Sequence, residues 1–352
     1  MTAERFGILN GYMESCMRDS AHDKGHIRRV LDAALILARK EKNVDWDVLI
    51  TAALLHDIGR EEQFRTGESH AAVGARMAKD YLLEQGADEA FAQHVSDCIR
   101  THSFRKNDPP ATIEAKLIYE ADKLDVVGAI GVARTLLYQG RVDDPVYSVG
   151  PDGAVLSGDE KEPSFYSEYR HKLMRLPARF LTAEGKKQAA RRAERAADFE
   201  AALRAETATG EAGSGWRVLP KGTPAKQRRI FNLAQMLAEG NGKASREMLI
   251  ELTLSGEIPA ESGTAGRAVK DAILLDEEGA LGIAQRLMEI GRERADMNLI
   301  FEEKQPVEYF TSQARGMAKT RGETAQAFLK ALSAEMEEYR EAAGKILREI
   351  LG

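Results

Sequence analysis

The chain is poor in cysteine. Its 352 residues include only Cys16 and Cys98, and no Cys-x-x-Cys pair occurs. A disulfide framework is therefore excluded, and so is any metal site of the Cys-x-x-Cys type. We expect both thiols to be reduced and buried.

Long apolar runs and an excess of positive charge are also lacking. No run approaches the roughly 20 apolar residues that span a bilayer, and the first residues show no basic stretch leading into an apolar core. We therefore expect a cytoplasmic protein without membrane contact. The formal net charge of −6 and the pI of about 5.8 argue against duplex nucleic acid as a partner, because such binding needs a basic face. A nucleotide substrate stays open, since a small phosphate ligand needs only a few local cations or a metal.

The composition, 43% hydrophobic and 30% charged, is typical of a folded globular protein. Apolar residues recur at spacings of three and four, which predicts amphipathic helices. The predicted helices of the first half cover residues 23–42, 46–58, 69–86, 89–102 and 112–129. No convincing alternating strand interrupts them. The predicted fold class is all-α.

Two segments break the helical pattern. Residues 140–163 are rich in Gly, Pro and Asp, which predicts a loop, and residues 207–224 have the composition of a linker. With a length suited to two domains, we predict a first domain at 1–206, a linker at 207–224 and a helical domain at 225–352. This last segment contains no His or Cys, which argues against a second metal site there. We expect it to have a regulatory, oligomerisation or substrate-gating role. A homo-oligomer stays open.

The most informative feature is the pair His56-Asp57, at the end of the apolar helix TAALLHDIG. Polar groups at such a position are costly to bury without a partner. Imidazole nitrogen and carboxylate oxygen together suit a divalent transition metal. Further candidate ligands in helical contexts are His26, in HDKGHIRRV, and Asp122, in EADKLDVV.

The order of these residues, with five flanking blocks, resembles the HD superfamily of metal-dependent phosphohydrolases and its small stand-alone bacterial members. The resemblance covers roughly residues 19–205. Its blocks are HDKGHIRRV, AALLHDIGR, ESHAAVGARMA, IRTHSFR and EADKLDVVGAIGVAR. It implies a helical bundle that holds a divalent ion (Mn, Fe, Mg, Co, Ni or Zn). The implied ligands are His26, His56, Asp57 and Asp122.

Two more histidines leave an alternative open. In binuclear members of the superfamily, two histidines between the HD pair and the last Asp hold a second metal, and His70 and His102 fall at those positions. In a site with one metal, the same side chains would contact phosphate or support the ligands instead. One ion or two are both compatible with the sequence.

The implied reaction is attack of a metal-activated water on phosphorus. His56, Asp57, Lys123 and Glu61 are the candidate catalytic residues, with Glu61 orienting water or protonating the leaving group. The candidate substrate-binding residues are Arg60, Lys123, Arg134, His70 and His102. Asp23 and Asp125 are candidates for orienting a ligand or Lys123.

The sequence differs from two better-marked branches of the superfamily, which reduces the number of candidate substrates. Alarmone hydrolases carry an acidic pair where this chain has Arg60 and Glu61, and the Gly-Tyr-Pro element of the cyclic-di-GMP branch is missing after His102. A nucleotide or another small phosphate ester remains. The alternatives are a ligand-sensing or scaffold protein that acts through its C-terminal domain, and a di-iron oxygenase of the HD type.

Overall fold

The computed structural model of the protein describes residues 1–17, 24–104, 108–151, 154–160, 162–208, 218–239, 244–302, 304–305 and 307–352. These residues form helices joined by turns and loops. No strand occurs among them, although one isolated antiparallel bridge joins Val149 and Val155. The predicted all-α class is confirmed. Within the same residues, no helix has both the length and the apolar character to cross a membrane.

The chain divides into two compact units, each made of several segments. The first unit comprises residues 1–131, 176–193 and 333–352, and the second comprises residues 132–175 and 194–332. The last twenty residues thus belong to the same unit as the first 131. The predicted partition into 1–206 and 225–352 is a different, continuous division, and it remains a prediction.

The first unit contains the helices that carry the candidate site. They are α1 (Ala3–Cys16), α2 (Lys24–Ala38), α3 (Trp46–Leu55), α4 (Arg60–Thr66), α5 (His70–Glu84), α6 (Glu89–Thr101), α7 (Ile113–Leu124) and α16 (Arg340–Leu351). The sequence pattern predicted α2, α3, α5, α6 and α7 to within a few residues at each end. It did not predict α1 or α4.

Helix α3 is the centre of this unit. Asp45 caps its N-terminus by accepting hydrogen bonds from the backbone N–H groups of Asp47 and Val48, as expected for an N-cap aspartate. All eight residues from Val48 to Leu55 are buried. Because α3 is apolar on every face, it must be surrounded, and it packs against α1, α2, α6 and α7. The polar residues that follow Leu55 therefore lie deep in the bundle.

The remaining helices complete the chain between α7 and α16. They are α8 (Ala129–Val142), α9 (Phe165–His171), α10 (Ala183–Ala208), α11 (Ala225–Glu239), α12 (Arg246–Ser255), α13 (Gly263–Asp276), α14 (Gly279–Arg292) and α15 (Ser312–Glu337). Short 3₁₀ helices lie at Leu173–Arg179, Ala260–Ser262 and Met297–Phe301. In the second unit, α11, α12 and α13 pack around an apolar core that includes Phe231, Leu237 and Val269.

Candidate metal centre

Four histidines and two aspartates of the first unit converge on one place. Each lies at or near the end of a helix, so loops and helix termini bring them together from distant parts of the sequence. His56 follows α3, His102 follows α6, His70 is the first residue of α5, and His26 lies in the first turn of α2. Asp122 lies in the last turn of α7 and Asp57 follows His56. These are the six residues predicted as ligands from the sequence.

Asp57 lies at the centre of the cluster. Its Oδ2 is 3.6 Å from Nε2 of His26 and 3.7 Å from Nε2 of His56. Its Oδ1 is 3.6 Å from Nε2 of both His70 and His102. The two carboxylate oxygens therefore face two different histidine pairs.

The six residues form two groups of three that could each hold a metal ion. The first is His26, His56 and Asp122, and the second is Asp57, His70 and His102. Within the first group, Nε2 of His26 is 3.4 Å from Nε2 of His56 and 3.4 Å from Oδ1 of Asp122. Within the second, the two Nε2 atoms are 3.3 Å apart.

The outer nitrogen of each imidazole is engaged away from the cluster. Nδ1 of His56 donates to the carbonyl of Ala53 at 2.8 Å, and Nδ1 of His102 donates to that of Ile99 at 2.6 Å. Both acceptors belong to the last turn of a helix, where backbone carbonyls lack an intrahelical partner. Helix ends thus fix these two rings.

The other two rings are held by side chains. Nδ1 of His26 donates to Oδ2 of Asp125 at 2.7 Å, and Nδ1 of His70 donates to Oε1 of Gln63 at 2.8 Å. A neutral imidazole carries one proton. With each Nδ1 acting as the donor, all four Nε2 atoms present lone pairs to the centre.

Such an arrangement fits divalent cations. Lone pairs of neighbouring imidazoles repel one another at 3.3–3.4 Å unless a positive charge lies between them. Oδ1 of Asp57 is buried and accepts no hydrogen bond among the described residues, and such an atom is costly without a partner. Nitrogen and carboxylate donors in this ratio suit Mn, Fe, Co, Ni or Zn.

The electrostatics of the cluster keep its donors in the state that binds metal. Burial lowers the pKa of His56 to about 4 and that of His70 to about 3, so both are neutral near pH 7. Burial alone would raise the pKa of Asp57 and Asp122. Any positive charge on the neighbouring imidazoles, together with Arg60 beside Asp57 and Lys123 beside Asp122, outweighs burial, so the pKa of both carboxyls lies well below its usual value and both stay ionised.

Two cations flank the buried carboxylates. Nε of Arg60 is 2.9 Å from Oδ1 of Asp57, but the two atoms are not aligned for a hydrogen bond. Nζ of Lys123 contacts Oδ2 of Asp122 and lies 3.5 Å from the carbonyl of His102. Three side chains at the cluster are partly exposed: Arg60 keeps 29% of its surface exposed, Lys123 17% and His70 13%. The other five of the six candidate ligands each keep less than 10% exposed. The cluster therefore opens to solvent beside these three residues.

The structure does not bring all predicted site residues to this opening. Glu61 is exposed on α4 and makes no hydrogen bond or ion pair with the cluster within the described part of the chain. Arg134 lies on α8 in the second unit, so its role stays a prediction. Asp23 lies outside the described residues. His94 lies apart from the cluster, next to Glu114 and Thr112.

The role of α4 in positioning His70 was not predicted from the sequence. Gln63 on this helix orients His70, but nothing in its sequence context distinguishes it from a surface residue. Gly59, just before α4, lies so close to α5 that a Cβ atom would come within 2.3 Å of the carbonyl of His70 and 2.5 Å of the amide of Gly74. A glycine is thus required for the turn after Asp57 to lie against the start of α5.

Comparison with known proteins identifies relatives of this region. The family model described as HD domain matches residues 24–127. The uncharacterized protein YpgQ of Bacillus subtilis is 32% identical over 174 residues, which cover 48% of this chain and 77% of YpgQ. The match therefore includes most of that relative and about half of this chain.

Solved structures show the same similarity. The crystal structure of B. subtilis YpgQ is 27% identical, covers 58% of this chain and 95% of its own, and has a TM-score of 0.46. A crystal structure of YpgQ in complex with ADP is 26% identical in sequence and has a TM-score of 0.45. The match covers 57% of this chain and 97% of the YpgQ chain. An HD-superfamily hydrolase from Bacillus thuringiensis is 29% identical in sequence and has a TM-score of 0.44. The match covers 56% of this chain and 93% of the hydrolase chain.

Proposed function

This chain belongs to the HD domain family, and from that premise we propose that it is a metal-dependent phosphohydrolase with two divalent ions. The first ion would be held by His26, His56 and Asp122, and the second by His70 and His102. Asp57 would serve both, because each of its oxygens faces one histidine pair. The observation that carries the proposal is the convergence of four Nε2 atoms, each on a ring whose Nδ1 is engaged elsewhere, on one buried carboxylate.

At the opening, different residues of the chain would have different roles. Divalent ions there would supply Lewis acidity, which lowers the pKa of water toward neutrality and offsets charge on a phosphoryl group. Among the described residues, the cations Arg60 and Lys123 reach the opening, so they would bind and orient phosphate oxygens. The buried histidines and aspartates exclude bulk water from one side of the site.

We propose a nucleotide as the substrate class. The sequence relative YpgQ has been crystallised in complex with ADP, which makes ADP the first ligand to test here. The opening supports an anionic substrate, because the partly exposed charged side chains at it, Arg60 and Lys123, are both cationic.

The test is phosphate or pyrophosphate release by the Mn²⁺-loaded protein from nucleoside di- and triphosphates and from an aryl phosphate ester. We expect turnover that depends on the metal and is abolished in His26→Ala. The matched control is His94→Ala, a histidine of the same unit outside the cluster, which should keep full activity. Absence of turnover on the whole panel, or activity in His26→Ala equal to that of the control, would refute the proposal.

Metal content tests the number of ions separately. We expect two Mn²⁺ per chain in the unaltered protein and one in the double variant His70→Ala/His102→Ala. Two tightly bound ions without any turnover would instead favour the sensor or scaffold role. Optical spectra of the iron-loaded protein would reveal a mixed-valent di-iron centre if the chain were an oxygenase.

A further inference from the structure

A second layer of charged residues supports His26 from behind. Asp125 accepts the hydrogen bond from Nδ1 of His26 through Oδ2, and its Oδ1 accepts one from Nε of Arg29 at 2.6 Å. Nη2 of Arg29 adds a contact of 3.0 Å to Oδ2. Asp125 is 3% exposed, so its position is defined by these partners. A carboxylate on the outer nitrogen of a ligand histidine fixes the orientation of the ring.

The turn that carries Asp125 is itself held on both sides. Asp125 follows the last residue of α7, Leu124, and α8 begins four residues later. Nη1 of Arg192 donates to the carbonyl of Leu124 at 2.6 Å, and the amide of Ile130 donates to Oε2 of Glu335 at 2.9 Å. The first contact caps the C-terminus of α7 and the second caps the N-terminus of α8.

Gly128 allows this close contact within the turn. Its φ is +91°, a conformation that favours glycine. A Cβ atom at this position would lie 2.6 Å from both carboxylate oxygens of Glu335. The carboxylate of Glu335 therefore fits directly against the backbone of the turn.

The two capping groups come from distant parts of the sequence but form one network. Nη2 of Arg192 pairs with Oε2 of Glu338 at 2.8 Å, and Glu338 follows Glu335 by three residues. Arg192 and Glu335 are 3% and 2% exposed, and both line the same small cavity as Arg29 and Asp125. Removal of one partner from such a buried set leaves a charge without compensation, which is strongly unfavourable.

We propose that Arg192, Glu335 and Glu338 form a clamp that positions the first metal site. This clamp fixes the turn from Asp125 to Gly128 and, through Asp125, the orientation of His26. Glu335 and Glu338 thus support the metal site, although they lie some 200 residues beyond the HD match at residues 24–127. This inference rests on the proposed function, because it assumes that His26 binds a metal ion. Arg192, Glu335 and Asp125 are positioning residues.

The experiment measures Mn²⁺ affinity by titration calorimetry in the full-length His70→Ala/His102→Ala protein, where only the first ion should bind. We expect Arg192→Met and Glu335→Ala each to weaken binding by about 10- to 100-fold, the range usual for groups behind a metal ligand. Arg192→Lys should recover part of the loss, because Lys can still donate to the carbonyl of Leu124. The visible absorption of bound Co²⁺ should shift in the weakened variants, since the orientation of His26 changes.

The control is Glu349→Gln, in the same terminal segment, whose exposed ion pair with Arg39 lies outside the clamp. It should leave both the affinity and the Co²⁺ spectrum unchanged. Asp125→Asn is the second variant, in case Glu335→Ala fails to fold, and the same weakening is expected. If folded Asp125→Asn and Arg192→Met bind Mn²⁺ as tightly as the parent, the inference is wrong. If the parent and the unaltered protein bind no Mn²⁺, the proposed function fails instead.

Discussion

Replacing Asp57 with Asn should weaken metal binding and also lower the stability of the metal-free fold. The substitution keeps the shape of the side chain and removes its charge. Asp57 is 2% exposed, and burial of an ionised carboxylate costs several kcal/mol unless its partners compensate. Those partners hold the pKa of Asp57 well below its usual value, so removal of the charge should lower the stability of the metal-free protein.

The rise in Tm on addition of Mn²⁺ should also be smaller in the variant. At a concentration 100 times the dissociation constant, one bound ion stabilises the folded state by about 2.7 kcal/mol. For a unit of about 170 residues, this corresponds to a rise of about 5 to 10 °C in Tm. If Asn weakens binding by about 100-fold, the same Mn²⁺ concentration only equals the dissociation constant. The stabilisation then falls to about 0.4 kcal/mol, or about 1 °C.

The assay is differential scanning calorimetry with and without Mn²⁺, on the unaltered protein, Asp57→Asn and Asp97→Asn. Asp97 is a half-buried aspartate on α6 that pairs with Arg100 and lies outside the cluster, so its variant should behave like the unaltered protein. The reasoning is refuted if Asp57→Asn keeps the full Mn²⁺-dependent rise in Tm.

Three further predictions follow from single contacts. Arg60→Met should weaken ADP binding by about 10- to 100-fold at unchanged metal content, since a hydrogen bond to a charged group contributes about 1.5–3 kcal/mol; calorimetric titration checks this. Glu120→Gln should lower the free energy of unfolding in urea by about 1–3 kcal/mol, because buried Glu120 accepts hydrogen bonds from the amide and hydroxyl of Thr182. The metal-free protein should lose stability as the pH falls from about 6.5 to about 4. Over that range the unfolded chain takes up protons at His56 and His70, whose folded pKa values are about 4 and about 3, and each costs about 3 kcal/mol. Urea titrations at pH 7 and 5 measure the loss.

Each of these predictions has an outcome that contradicts it. Unchanged ADP affinity in Arg60→Met would remove Arg60 from the substrate site. Unchanged urea stability in Glu120→Gln would show that its hydrogen bonds contribute little. Equal stability at pH 7 and pH 5 would mean that His56 is not kept neutral by burial.

The helices of the first unit were predictable where their apolar residues recur regularly. Helix α4 was not, because its sequence REEQFRT carries no apolar stripe and none of its residues is buried. It exists because Gly59 and Gly67 flank it, with Gly67 in the left-handed conformation at its C-cap. Helix α3 ends at Leu55 rather than at the predicted residue 58. Beyond this end, the imidazole of His56 donates a hydrogen bond to the carbonyl of Ala53.

The six candidate ligands were predictable as a set from the HD pair and its flanking blocks. Their division into two groups was one of two alternatives that the resemblance implied, and the distances that define it join atoms of five different helix ends. Asp125 was predicted as an orienting residue. Arg192 lies on α10 and Glu335 near the end of α15, with Glu338 just after that helix. These segments are strongly charged, and the sequence alone indicates a solvated surface there. The contacts of Arg192 with Leu124 and of Glu335 with Ile130 are evident only from the structure.

The proposed site holds two divalent ions, one on either side of Asp57. Anomalous diffraction at the manganese edge from crystals of the Mn²⁺-loaded protein locates such ions. We expect two peaks within the cluster, one beside His26, His56 and Asp122 and one beside His70 and His102. A map with no peak among these side chains, or with manganese bound only elsewhere on the chain, would contradict this expectation.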